Sequence, residues 1–162
     1  MNNVYLLTGS NQQQPVKQLK KAFMLIAKHI GVIQRASSLY ETAAWGNTNQ
    51  PNFINQVLIV KSKHNATEIL QNILAIEQKM GRVRTVKNAP RIIDIDILFF
   101  NKEIINSKDL VVPHPLLQHR RFVLTPLNEL SPNFKHPILQ KTIHQLLPIC
   151  KDDLAVTKIT TK

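Results

Sequence analysis

The chain has 162 residues, 43% of them hydrophobic, with one cysteine and a formal charge of +11. That length suits one domain, residues 1–162, with a sizeable core. The composition is too apolar for disorder, and no apolar run approaches the roughly 18 residues that span a bilayer. Cys150 alone excludes an intrachain disulfide, which fits a reducing compartment.

The opening MNNVYLLTGSN lacks the basic start and apolar stretch of a signal peptide, and a strand is expected over 3–8, closed by the turn signal Gly9-Ser10-Asn11. Pro15 suits a first helical position. Leu19, Ala22, Phe23, Ile26, Ala27 and Ile30 recur at helical spacing, and Gly31 is a terminator. A strand is expected at 32–41, a loop with the lone Trp45 at 42–52, and a strand at 53–62. Asn65 with Glu68 makes a capping box for a second helix with the stripe Ile69, Ile73, Ile76 and Met80. A basic loop at 82–90 leads to a strand at 91–100, RIIDIDILFF. NKEIINS suggests a short hairpin return, 111–118 a Pro-containing loop, RRFVLTPLNEL a helix with Pro126 near its start or at a kink, and KTIHQLLPIC a last helix. The order β-α-β-β-α-β is the ferredoxin-like pattern. It predicts an α/β (α+β) sandwich: an antiparallel-rich sheet, two helices on one face, and added C-terminal helices on the other.

Asp94 and Asp96 lie two residues apart on an otherwise apolar strand, so they share a face and repel one another. Asp is disfavoured in strands. A divalent cation between them resolves the repulsion, and magnesium prefers carboxylate and phosphate oxygens. No Cys/His cluster has zinc spacing. D-x-D alone is a weak motif, but the arginines sharpen it. Of six, only Arg35 lies outside the stretch from Arg82 to Arg121. Arginine's planar fork suits phosphate, so the sequence favours a local polyanion site such as a nucleotide triphosphate. Scattered lysines read as solvated surface. Neither a P-loop nor a G-x-G-x-x-G is present.

Five blocks occur in order: TGSN; YETAAWG with QPNFINQV; IEQKMGRVR; APRIIDIDIL; and VPHPLLQHRRFVLTPLNEL. Together they resemble the 6-hydroxymethyl-7,8-dihydropterin pyrophosphokinase (HPPK) family of folate biosynthesis, over about residues 4–132, with the tail 133–162 outside the likeness. The resemblance implies a cytoplasmic enzyme with a ferredoxin-like sandwich. It would transfer pyrophosphate from ATP to the hydroxymethyl group of the pterin and release AMP. A monomer is expected, with no nucleic-acid or membrane partner.

By the same resemblance, Asp94 and Asp96 hold two Mg2+ ions against ATP, and Arg82 and Arg91 act on the phosphates in transfer. Arg84 closes the mobile loop, while His114 and Arg120 reach the triphosphate from the far side. Glu77 lies close to the nucleotide; Leu70, Leu74 and Ile97 stand either beside the adenine or in the core. Phe53 and Phe122 match the pair that stacks on the pterin, Asn55 its edge-reading amide, and Thr42, Ala43 and Trp45 the loop lining its pocket, with Asp94 also beside the pterin. Arg121, His119, His29, His64, His136 and His144 are read as ordinary solvated surface. The chain departs from the family pattern in three places. KNAPR lacks a loop aromatic and has Ala89 where Gly is common, Phe53 stands where some relatives have Tyr, and Asp109 where some have a basic residue. The rival classes are an RNA-binding module, which the charge favours and the carboxylate face opposes, and another D-x-D transferase.

Overall fold

The computed structural model describes residues 1–44, 49–83 and 90–160. β1 (Asn2–Ser10) leads into α1 (Pro15–His29), β2 (Val32–Ala36), β3 (Tyr40–Thr42), β4 (Phe53–Ser62) and α2 (Ala66–Lys79). β5 (Asp94–Phe100), β6 (Ile105–Asn106), β7 (Val111–Val112), a 3-10 turn at Leu117–His119, α3 (Arg121–Leu130), α4 (Ile143–Ile149) and β8 (Val156–Lys158) follow. The main sheet is antiparallel, in the order β5-β1-β4-β3-β8. β4 is long enough to carry two partners: β3 along Phe53–Asn55 and β2 along Leu58–Lys61. This is the ferredoxin-like arrangement, with the second strand divided.

The expected 32–41 strand breaks because Ser37 takes over the ladder. Its N–H donates to Val57 O and its Oγ accepts from Val57 N, each at 2.9 Å. The 91–100 strand begins only at Asp94, since the preceding backbone pairs with Asn11 instead. β8 was not anticipated. It is three residues long, with two of them exposed, too short for a pattern of alternation to register.

Side chains of β1 alternate between two cores, as a strand's period of two requires. Val4 and Leu6 join α1 and α2 through Leu19, Ile26, Ile69 and Ile73. Tyr5 and Leu7 join α3 and α4 through Leu124, Leu127, Ile143 and Leu146. Because helices cover both faces, β1 and β4 read as continuous apolar runs. The Asn65 capping box closes as expected, with Glu68 N donating to Asn65 Oδ1 at 2.9 Å and Asn65 N to Glu68 Oε1 at 3.0 Å. Pro126 sits inside α3 rather than at its start.

Candidate active site

The register of β5 against β1 sets Asp96 opposite Leu7 and Asp94 opposite Gly9. The aspartates therefore occupy the α3-facing side of the sheet, while Ile95 and Ile97 pack into the α1/α2 core. Arg82, just past α2, donates through one nitrogen, Nη1, to Glu77 Oε2 at 2.7 Å and to Asp94 Oδ1 at 2.9 Å. Arg91 Nη1 stands 3.6 Å from Asp94 Oδ2. Glu77 is buried, and its Oε2 also accepts from Ile95 N at 2.8 Å.

Burial, then the charges of Asp94 and Glu77, push the Asp96 carboxyl up to about 8, against the pull of Arg120 and Arg82. Such a carboxyl is ionised at neutral pH only at a cost, which a cation would offset. Burial lowers the pKa of Arg82, but Asp94 and Glu77 outweigh it, and the net shift is upward. Burial lowers the pKa of His114, helped by Arg120 and opposed by Asp94. Its Nδ1 accepts from Leu116 N at 3.2 Å, which in the neutral ring leaves the proton on Nε2.

The other wall of the site comes from β3 and β4. Asn55 is buried opposite Gly9, and its Nδ2 donates to Thr8 O at 3.3 Å. A Cβ on Gly9 would collide with that amide, so the missing side chain makes room for Asn55. Thr42 pairs with Phe53, and its buried Oγ1 has no hydrogen-bond partner among the described residues. Phe53 and Phe122 are both half-buried. The Arg120 guanidinium lies 5.7 Å from the centre of the Phe122 ring, within cation–π range. Ala43 follows Thr42 directly, half-buried.

Thus Glu77, Arg82, Arg91 and Asp94 form one bonded cluster, and beside it the Arg120 charge acts on both Asp96 and His114. Ile97 is a core residue and Leu70 packs against that core, whereas Leu74 is exposed on α2. Trp45 and Arg84 lie outside the described residues.

Two surface assignments are corrected. Arg121 is not a solvated charge: its Nε donates to Asp152 O at 2.9 Å and its Nη2 to Cys150 O at 3.1 Å. His136 is buried, packs edge-on against Phe99 and accepts from Ile138 N and Leu139 N, each at 3.1 Å. Sequence reading also missed Asn11. Its Oδ1 accepts from Arg91 N at 2.8 Å, and its Nδ2 donates to Gln50 Oε1 at 2.7 Å and Pro51 O at 3.1 Å. One amide therefore ties the end of β1 to the chain leading into β4 and to the chain leading into β5. The only sign of it was its place in a turn signal.

The sequence pattern of the family described as 7,8-dihydro-6-hydroxymethylpterin-pyrophosphokinase (HPPK) matches residues 5–132. A protein of Aquifex aeolicus named 2-amino-4-hydroxy-6-hydroxymethyldihydropteridine pyrophosphokinase is 40% identical over 148 residues, 91% of this chain and 92% of that one. A Bacillus subtilis protein of the same name is 40% identical over 132 residues, covering 80% of this chain and 79% of the other. The chain spans only 22% of the Folic acid synthesis protein FOL1 of Dictyostelium discoideum, at 39% identity over 90% of its own length. In three dimensions it resembles the wild-type HPPK-DHPS of Plasmodium falciparum solved with pteroate. The TM-score is 0.76 at 22% identity, over 91% of this chain and 42% of that one, and the likeness carries the fold. With Glu77, Arg82, Arg91 and Asp94 bonded together at β5 of a ferredoxin-like sheet, and with a family match over residues 5–132, this chain belongs to the 7,8-dihydro-6-hydroxymethylpterin-pyrophosphokinase family.

Proposed function

We propose that the chain transfers the β,γ-diphosphate of ATP to the hydroxymethyl group of 6-hydroxymethyl-7,8-dihydropterin, in folate biosynthesis. The hydroxymethyl oxygen bonds to the β-phosphorus. The bond from that phosphorus to the oxygen it shares with the α-phosphate breaks, AMP leaves, and one proton is released. The observation that carries this reading is the Asp94–Asp96 pair set between half-buried arginines and a cleft wall of amide, hydroxyl and aromatic groups. The donors beside Asp96 are carboxylate oxygens, and its raised pKa marks a place where a positive charge is wanted. They fit magnesium, with Asp94 and Asp96 as its protein ligands and two ions the expected number. When bound with ATP, magnesium would neutralise the triphosphate.

The chain's own groups divide the remaining work. Arg82 and Arg91 are held at Asp94 and Arg120 acts on both aspartates, so guanidinium groups flank the phosphate chain while the neutral His114 ring offers its Nε2–H. In the ligand-free arrangement Arg82 neutralises Asp94 and Glu77. Once Asp94 ligates a cation, the Arg82 fork is free to bind phosphate. Phe122 and Phe53 supply flat apolar faces for the pterin, Asn55 reads its edge, and the unpaired Thr42 hydroxyl offers one more polar contact. Glu77 acts through Arg82 and the β5 backbone. The surrounding reading is of a one-domain monomer in the cytoplasm. No helix among the described residues is long and apolar enough to cross a membrane.

The test is incubation with ATP, magnesium and the pterin, with products weighed by mass spectrometry. AMP and a pterin diphosphate are expected. ADP, or a nucleotide attached to the acceptor, would point to a different D-x-D transferase, and RNA binding that weakens steeply with salt would point to the rival module.

A further inference from the structure

We infer that Asp152, in the C-terminal segment beyond the family match, is a positioning residue that fixes Arg120 and Phe122 at the site, resting on the reading of those two as substrate-binding. Its carboxylate is buried and reaches across to the start of α3. Oδ2 accepts from Arg121 N at 2.9 Å, and Oδ1 accepts from Leu154 N at 3.0 Å. The clasp is reciprocal, since the Arg121 guanidinium holds the carbonyls of Asp152 and Cys150.

The first turn of a helix has N–H groups without an internal partner, and a local Ser, Thr, Asp or Asn usually supplies one. At α3 the N-cap position is Arg120, whose side chain makes no cap bond. A carboxylate from 31 residues downstream does the capping instead, and negative charge there also suits the helix dipole. The residue so held lies between Arg120 and Phe122, so both side chains hang from a peptide clamped on the backbone and on the side chain. Asp152 also draws on the Arg120 guanidinium, after the larger pulls of Asp96 and Asp94.

The same segment then continues to the opposite wall. Val156 of β8 pairs with Thr42 of β3, which itself pairs with Phe53, and Ile159 N donates to Leu39 O at 2.8 Å. Residues 150–159 therefore brace the start of α3 against β3, setting the distance between the Phe122 side and the Phe53 side of the cleft. A flat ligand between two faces is sensitive to that distance, and misplacement by about 1 Å can cost roughly a hundredfold in rate.

The test uses the full chain with Asp152→Ala, Asp152→Asn and Arg121→Gln. Each is measured for melting temperature, kcat, KM for ATP and for the pterin, and amide exchange over 120–124. Asp152→Ala is expected to raise the pterin KM through Phe122 and the KM for ATP through Arg120, or to lower kcat, by roughly tenfold or more well below its melting temperature. Asp152→Asn keeps an oxygen acceptor of the same size and should return to within about threefold of the parent, since Asn and Asp cap equally well. Arg121→Gln keeps the clamped N–H but releases the tail carbonyls. It should shift the pterin KM in the same direction, which decides the matter should Asp152→Ala not fold. A lower melting temperature with parental kinetic constants would make the tie merely structural and overturn the inference, as would an Asn variant no better than Ala. If the parent itself makes no AMP, the functional reading fails alone. The clamp is then judged by exchange at residue 121, which must quicken in Asp152→Ala.

Discussion

Arg82 and Glu77 are joined at 2.7 Å with their side chains only 10% and 4% exposed, and the nitrogen that makes this bond also serves Asp94. The guanidinium is therefore structural before ligand arrives. Removing one partner of a buried ion pair typically costs about 3–5 kcal/mol. Arg82→Ala should accordingly lower the melting temperature of the free protein as well as kcat, with ATP affinity changing little. Thermal melts and steady-state kinetics check both. A variant as stable as the parent would mean that water takes over the Glu77 contact.

The pH dependence of stability follows from Asp96. Its carboxyl titrates near 8 in the fold, against an ordinary carboxylate value when unfolded. Between those values this group binds more protons in the folded chain than in the unfolded one, so its contribution to stability is full in acid and declines as pH rises toward 8. Asp96→Asn should flatten that decline and melt higher than the parent at pH 8, while losing transfer activity. Magnesium-ATP binding at pH 7 should release protons, readable by calorimetry in buffers of different ionisation heat. A parent whose melting temperature rises steadily from pH 5 to pH 8 contradicts this.

Gly9→Ala is a test of the cleft wall. The added methyl would drive Asn55 from its place, and such overpacking costs typically about 1–3 kcal/mol. The pterin should bind markedly more weakly, with ATP binding changed less. Calorimetry with each ligand separates them; an equal loss would indicate general damage to the sheet.

Phe122→Ala should weaken pterin binding about tenfold or more, because stacking on an aromatic face is worth roughly 1–3 kcal/mol. Phe122 also packs against the second core, so some loss of stability accompanies it. Unchanged pterin affinity would remove this ring from the site.

Much of this was legible in the sequence because it rests on periodicity and residue type. The helical stripes, the Asn65 capping box and the same-face Asp pair all depend on neighbours in the chain. Arg121, Asn11 and Asp152 were not legible, because each acts largely on distant backbone. A bond from Arg121 to a carbonyl 29 or 31 residues away leaves no mark on the residue that accepts it. His136 was missed for a related reason: burial of an imidazole depends on Phe99, brought to it by the sheet. The bent strand at Ser37 hid behind a run whose composition alone favoured continuity.

The bond from Ile95 N to Glu77 has a bearing on how the protein survives in a crowded solution. β5 is a terminal strand of the sheet, paired on one side with β1. An unpaired row of N–H and C=O groups on such a strand is a template onto which another chain can add and begin a fibril or a swapped dimer. Glu77 occupies that outward N–H with a charge, and Arg82 and Asp94 crowd the same stretch with more. The charged cluster at Asp94 thus also keeps the Ile95 N–H from being offered to another strand.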